Sequence, residues 1–104
     1  MADQDRKRKR RARSAGAEIA ARARDELADI TGLEAESVTG LEQEGDGTWR
    51  VTVELLELSR IPETDDMLGS YEVELDEDGE MLGYRRVRRY SRSQVDHDQP
   101  VSGK

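Results

Sequence analysis

Between Thr48 and Arg92 the chain alternates apolar and polar residues with a period of two, in runs separated by acidic, glycine-bearing turns. Successive side chains of a strand point to opposite faces, so this period demands half-buried β-strands and excludes a helical bundle. Trp49, Val51, Val53 and Leu55 fall on one face, with Arg50, Thr52 and Glu54 on the other. Tyr71, Val73 and Leu75 alternate in the same way with Glu72, Glu74 and Asp76. The stretch also holds the single Trp and all three Tyr, so the core has to be assembled on it.

The turns set the expected register. A two-residue loop at Asp46-Gly47 would place Val51 opposite Glu42, an acid on the apolar face. A three-residue loop over Gly45-Asp46-Gly47, with Gly47 left-handed, pairs Leu41 with Val51 and Gln43 with Trp49 and is preferred. Strands are thus expected at about 37–44 and 48–58. The adjacent Leu55 and Leu56 break the alternation and point to a bulge or to the approaching strand end. Pro62 removes a backbone donor and restricts Ile61, which ends the second strand near Arg60 and makes 59–69 a connection. Asp78-Gly79 is a two-residue hairpin signal. It pairs Leu75 with Leu82, Val73 with Tyr84 and Glu72 with Arg85, apolar on one face and opposite charges on the other. The fourth strand slips phase after Tyr84, since Val87 and Tyr90 are three residues apart.

Upstream, Ile19, Ala23, Leu27 and Ile30 recur at helical spacing. Ser14 is the expected N-cap, and Gly32 the left-handed residue after the last turn, with Leu33 folding back. The prediction is an α+β fold: one N-terminal helix packed on a four-stranded antiparallel sheet (α-β-β-β-β). Residues 14–92 form the domain, 1–13 a disordered basic arm and 93–104 a polar flexible tail. With 34% hydrophobic and 39% charged residues and no Phe, the core must be thin, and a partner or second copy would add burial.

Several classes of chemistry are disfavoured. There is no Cys, hence no disulfide and no thiolate metal site. Glu74, Asp76, Asp78 and Gly79 match the start of a calcium loop, but Arg85 stands where a bidentate Glu is needed, and strands flank the segment. His97 is the sole histidine and lies in the expected tail beside Asp96 and Asp98. Ser59, Ser70 and Ser91 therefore have no base to activate them, and no nucleophile elbow or phosphate-binding glycine loop is present. Asp65-Asp66 lies on a loop without an apolar wall to raise a pKa. Neither an enzyme nor a cofactor is expected. No apolar stretch follows the basic start, so no signal peptide and no membrane span are expected, and the predicted location is cytoplasmic.

Interaction is the remaining class. The net charge is −7, yet residues 1–13 carry seven Lys/Arg against two Asp, a basic arm on an acidic body. Arg6, Lys7, Arg8, Lys9, Arg10, Arg11 and Arg13 could contact nucleic acid phosphates, an acidic protein, or solvent alone. The arm lacks aromatic residues for base stacking. Arg85, Arg86, Arg88, Arg89 and Arg92, interleaved with Tyr84 and Tyr90, have two readings of equal weight. They pair with acids and protect a sheet edge, or they form an arginine–tyrosine partner surface. Five arginines exceed the acids of their own hairpin that oppose them.

Taken in order, the central residues resemble the gas vesicle protein O family (GvpO). The likeness rests on Trp49-Arg50-Val51-Thr52-Val53-Glu54, Glu57, Arg60-Ile61-Pro62, Thr64-Asp65, Leu68, Tyr71-Glu72-Val73, Asp76, Gly79, Tyr84, Arg86, Arg89-Tyr90 and Arg92. It covers roughly 45 residues and leaves the basic arm outside. The resemblance implies a non-enzymatic accessory protein of gas vesicle formation, an assembly factor or adaptor that contacts shell or other accessory proteins. It implies no catalytic or cofactor residues. The alternative is a nucleic-acid-associated regulator using the basic arm.

Overall fold

The computed structural model describes residues 2–94, with side chains from 15 onward. Helix α1 (Ala2–Thr31) is followed by β1 (Glu34–Gln43), β2 (Trp49–Leu58), a short 3-10 turn (Glu63–Asp65), β3 (Met67–Leu75) and β4 (Met81–Ser91). The strands form one antiparallel sheet in the order β1-β2-β3-β4, with the helix on one face. Ile19, Ala23 and Leu27 of the helix meet Val51, Val53, Leu55, Val73 and Leu75 of the two central strands, and Trp49 and Met81 pack around them. This is the expected α+β layer pair.

The helix differs from expectation at its start. It begins at Ala2, so Ser14 lies inside it, and the basic stretch expected as a disordered arm has helical backbone. Arg, Lys, Gln and Ala are good helix formers, and no Gly or Pro interrupts residues 2–13. The stripe is also one residue shorter, because Ile30 is 56% exposed at the end of the last turn. Gly32 takes φ 74°, and its N–H reaches the Ala28 carbonyl at 2.8 Å, the left-handed cap that lets Leu33 turn back onto the core.

The first hairpin has the expected register, Leu41 opposite Val51 and Gln43 opposite Trp49, with Gly47 at φ 95°. The second does not have the expected two-residue loop. It repeats the first: Asp76 N–H meets the Glu80 carbonyl at 2.8 Å, as Glu44 N–H meets that of Thr48 at 2.7 Å, and Gly79 sits at φ 89°. The Asp76 carboxylate accepts the N–H groups of both Asp78 and Glu80, which favours the wider loop over the Asp-Gly turn. Leu75 therefore pairs with Met81, and an extra residue, Leu82, restores the expected Val73–Tyr84 and Glu72–Arg85 pairs. Leu82 is left 59% exposed.

Other bulges lie where the alternation faltered. Val87 is the extra residue of β4, and Glu57 that of β2 against β3. Glu36 and Thr39 are extra in β1. The connection after β2 is shorter than expected, because Met67, Leu68 and Gly69 already pair with β4 and β2. Of the expected tail, residues 95–104, including His97, lie outside the described part.

Candidate functional site

Strand β4 carries the arginine–tyrosine set at an edge of the sheet, and the pleat divides it between the two faces. Tyr84, Arg86 and Arg89 stand opposite Val73, Tyr71 and Gly69 on the face that also bears the helix. Arg85, Arg88 and Tyr90 stand opposite Glu72, Ser70 and Leu68 on the open face. Arg92 follows the strand. The sequence places these residues together; the structure resolves them into two clusters, each built around a glutamate of β2.

Glu57 centres the first cluster. Two residues beyond Leu55, it points by ordinary alternation to the helix side, where its side chain is only 9% exposed. It accepts the Tyr71 hydroxyl at 2.6 Å and Arg86 Nη1 at 3.2 Å, and Arg89 Nε lies 3.1 Å away. Gly69 makes the arrangement possible: a Cβ there would stand 2.8 Å from Tyr71 Cε1 and 2.9 Å from Glu57 Cδ. The Tyr71 ring is tilted against that of Tyr84, with centroids 6.4 Å apart. Burial and the adjacent carboxylate raise the Tyr71 pKa, and the bond to Glu57 raises that of Arg86.

Glu54 centres the second. It faces away from the helix as its parity predicts, yet it is 8% exposed instead of solvated. Its carboxylate accepts three hydroxyls: Thr39 at 2.6 Å, Ser70 at 2.5 Å and Tyr90 at 2.5 Å. These donors meet the requirement that a buried charge be fully hydrogen-bonded. Burial, then the neighbouring carboxylate, pushes the Tyr90 pKa up to about 12. Arg88 stacks over the Tyr90 ring, 4.7 Å from its centroid. A shallow hollow of about 540 Å³ opens beside this network.

Of the remaining arginines, Arg92 is paired by acids beyond the hairpin and Arg85 by one within it. Arg92 bonds Glu36 of β1 at 3.0 Å and Asp66 at 3.1 Å. Asp66 also accepts the Arg60 N–H, which is the main reason its pKa lies below the usual carboxylate value, and burial opposes this. Arg85 meets Glu72 at 3.2 Å, and Glu72 lies 3.9 Å from Arg50. Counting acids on the β3–β4 hairpin alone missed Glu57, Glu36 and Asp66. Sequence reasoning also missed Glu54 as a network centre; its only signal is the set of hydroxyls that the register brings beside it.

Of Arg6, Lys7, Arg8, Lys9, Arg10, Arg11 and Arg13 the structure describes only helical backbone. Among the described residues, no group of three or more His, Asp or Glu is arranged to hold a metal ion. None of their helices is long and apolar enough to cross a membrane.

Comparison with known proteins agrees with the likeness drawn from the central residues. Residues 2–96 match the family described as gas vesicle synthesis protein GvpO. The chain is 58% identical over 71 residues to gas vesicle protein O of a Streptomyces species, covering 68% of this chain and 55% of that protein. It is 35% identical over 74 residues to gas vesicle protein O of Haloferax mediterranei, covering 71% of this chain and 53% of the relative. The same identity and length relate it to gas vesicle protein O1 of Halobacterium salinarum, covering 71% and 61%. The chain thus spans between about half and three-fifths of these relatives. No solved structure matches it.

Proposed function

The chain belongs to the gas vesicle synthesis protein GvpO family, and from that premise we propose that it serves gas vesicle formation as a non-enzymatic assembly factor or adaptor in the cytoplasm. In this reading it binds shell or other accessory proteins through β4, using Tyr84, Arg85, Arg86, Arg88, Arg89, Tyr90 and Arg92. The observation that carries the proposal is the position of this set: an arginine-rich strand at the edge of the sheet, with Tyr84 43% exposed and Val87 47% exposed beside it. Tyrosine and arginine are the residues enriched where proteins dock. The hydroxyl and arginine ligands of Glu54 and Glu57 hold the strand's side chains in place, which reduces the ordering cost of association.

The test is capture. The full chain, tagged and co-produced with the gas vesicle proteins of its host, is expected to retain at least one of them, and Arg86→Gln with Arg89→Gln to weaken that retention. Neutral glutamine is preferable to charge reversal, which would set new carboxylates against Glu57. Thermal melting of the variant checks that the fold survives. Equal retention by a folded variant, or no retention by the parent chain, would count against the reading.

A further inference from the structure

The sheet is wider than the helix that covers it. Four strands spaced about 4.8 Å apart make a face nearly 20 Å across, whereas one helix with its side chains is about 10 Å wide. Helix α1 packs mainly on β1 and β2 and touches β3 lightly. Ile19 and Arg22 reach the loop at Gly79, after which the helix leads back to β1. Exposure follows this offset: Val51, Val53, Val73 and Leu75 of the central strands are fully buried, but Tyr84, next across the face, is 43% exposed. The β4 margin of the helix-side face, at Tyr84, Arg86 and Arg89, is therefore left uncovered beside α1.

Its surface has a definite chemistry. Tyr84, tilted against the buried Tyr71 and bordered by half-buried Met81, supplies its apolar floor. Beyond them Arg86 and Arg89 converge on the single carboxylate of Glu57, two guanidinium groups to one acid. These arginines pair with Tyr71 and Gly69, two positions apart, or roughly 7 Å along the strand. Acids one turn apart on a helix are separated by about 6 Å. The margin thus complements an apolar helical stripe flanked by carboxylates at i and i+4.

Other occupants fit less well. A strand added to β4 would have to follow an edge broken by bulges at Leu82 and Val87. A second copy joined through its own β4 would set arginine against arginine. The open-face hollow is lined by Glu54 and Tyr90, which already satisfy one another.

We propose that the exposed margin formed by Tyr84, Arg86 and Arg89, bordered by Met81, docks an amphipathic, acid-bearing helix of a gas vesicle protein, beside and on the same face as α1. The proposal rests on the adaptor reading above and specifies the face used and the kind of element received. Photo-cross-linking of the full chain tests it, with Tyr84→benzoylphenylalanine on the margin and Glu74→benzoylphenylalanine on the opposite face, each co-produced with its host's gas vesicle proteins. Position 84 is expected to cross-link, and position 74 not to. The captured segment should show apolar residues at spacings of three and four, with Asp or Glu one turn apart. In the wild-type background, Tyr84→Ala and Arg89→Gln are each expected to weaken the complex at least about tenfold, and Glu74→Gln to leave it unchanged. Cross-links from position 74 alone, a captured segment of alternating or basic character, or undiminished binding by both folded margin variants would overturn this docking site while leaving the adaptor reading intact. Absence of any complex would overturn the adaptor reading, and this proposal with it.

Discussion

Replacing Tyr90 by Phe removes one hydroxyl from the Glu54 network and almost nothing else. The lost bond is 2.5 Å long and ends on a carboxylate that is 8% exposed. Hydrogen bonds to charged groups contribute about 1.5–3 kcal/mol, and Glu54 would keep only Thr39 and Ser70. Tyr90→Phe should therefore cost about 2 kcal/mol at pH 7. The same hydroxyl predicts an alkaline signature. Its pKa is raised from 10.0 to about 12 in the folded chain. Between those values the folded state holds a proton that the unfolded state has released, so stability is complete below pH 10 and declines as pH rises through 12. Two pKa units correspond to about 3 kcal/mol. Tyr71 also has a raised pKa but is common to both proteins, so the difference between wild type and variant isolates Tyr90. Urea unfolding from pH 7 to 12 should give curves that converge as pH climbs, with a shallower alkaline limb in Tyr90→Phe. A second comparison, with Glu54→Gln, should yield a coupling of about 1 kcal/mol or more. Equal stability at pH 7 and parallel alkaline limbs would refute the argument.

Gly69→Ala forces its new Cβ against Tyr71 and Glu57 and should cost about 1–3 kcal/mol in chemical denaturation, part of it recovered when Glu57 is also truncated. Leu55→Ala, at a fully buried site in the middle of the sheet, should lower stability by about 2–5 kcal/mol. Gly79→Ala must hold φ 89° and meets Ile19 Cδ1 at 2.9 Å, so a loss of at least about 1–2 kcal/mol is expected by thermal melting. Asp66 has a lowered pKa, so its contribution is present above the ordinary carboxylate value and is lost as pH falls through the folded one. Acid unfolding of Asp66→Asn should accordingly be shallower than that of the parent chain.

How far the sequence reveals this molecule depends on how local each determinant is. The helix stripe at Ile19, Ala23 and Leu27 and the cap at Gly32 follow from neighbours a few positions away, and both are where periodicity puts them. The first loop was legible because a two-residue alternative would have turned Glu42 inward. The second loop was misread because both possible widths leave Val73 opposite Tyr84 once Leu82 is bulged, and the deciding Asp76 carboxylate is a side-chain effect. The candidate site was half legible. Its arginines and tyrosines stand out in the sequence, but their partners do not. Arg92 finds Glu36 across 56 positions, and Arg86 finds Glu57 across 29. Glu54 and Glu57 read alike as polar residues of one strand; parity sends them to opposite sides, but the donors that meet them there come from β1, β3 and β4.

The irregularity at Glu57 makes the end of β2 sensitive to chain length in a way that point substitutions do not reveal. Deleting either Leu56 or Glu57 would remove the extra residue while leaving Leu58 opposite Met67, so the helix-side cluster of Tyr71, Arg86 and Arg89 would lose its carboxylate. Frame-preserving losses in this short window should therefore be tolerated far less well than insertions in the turn around Glu63–Asp65, whose residues are exposed. In a library of single-codon deletions, survivors should thin out over those two positions and reappear beyond Pro62.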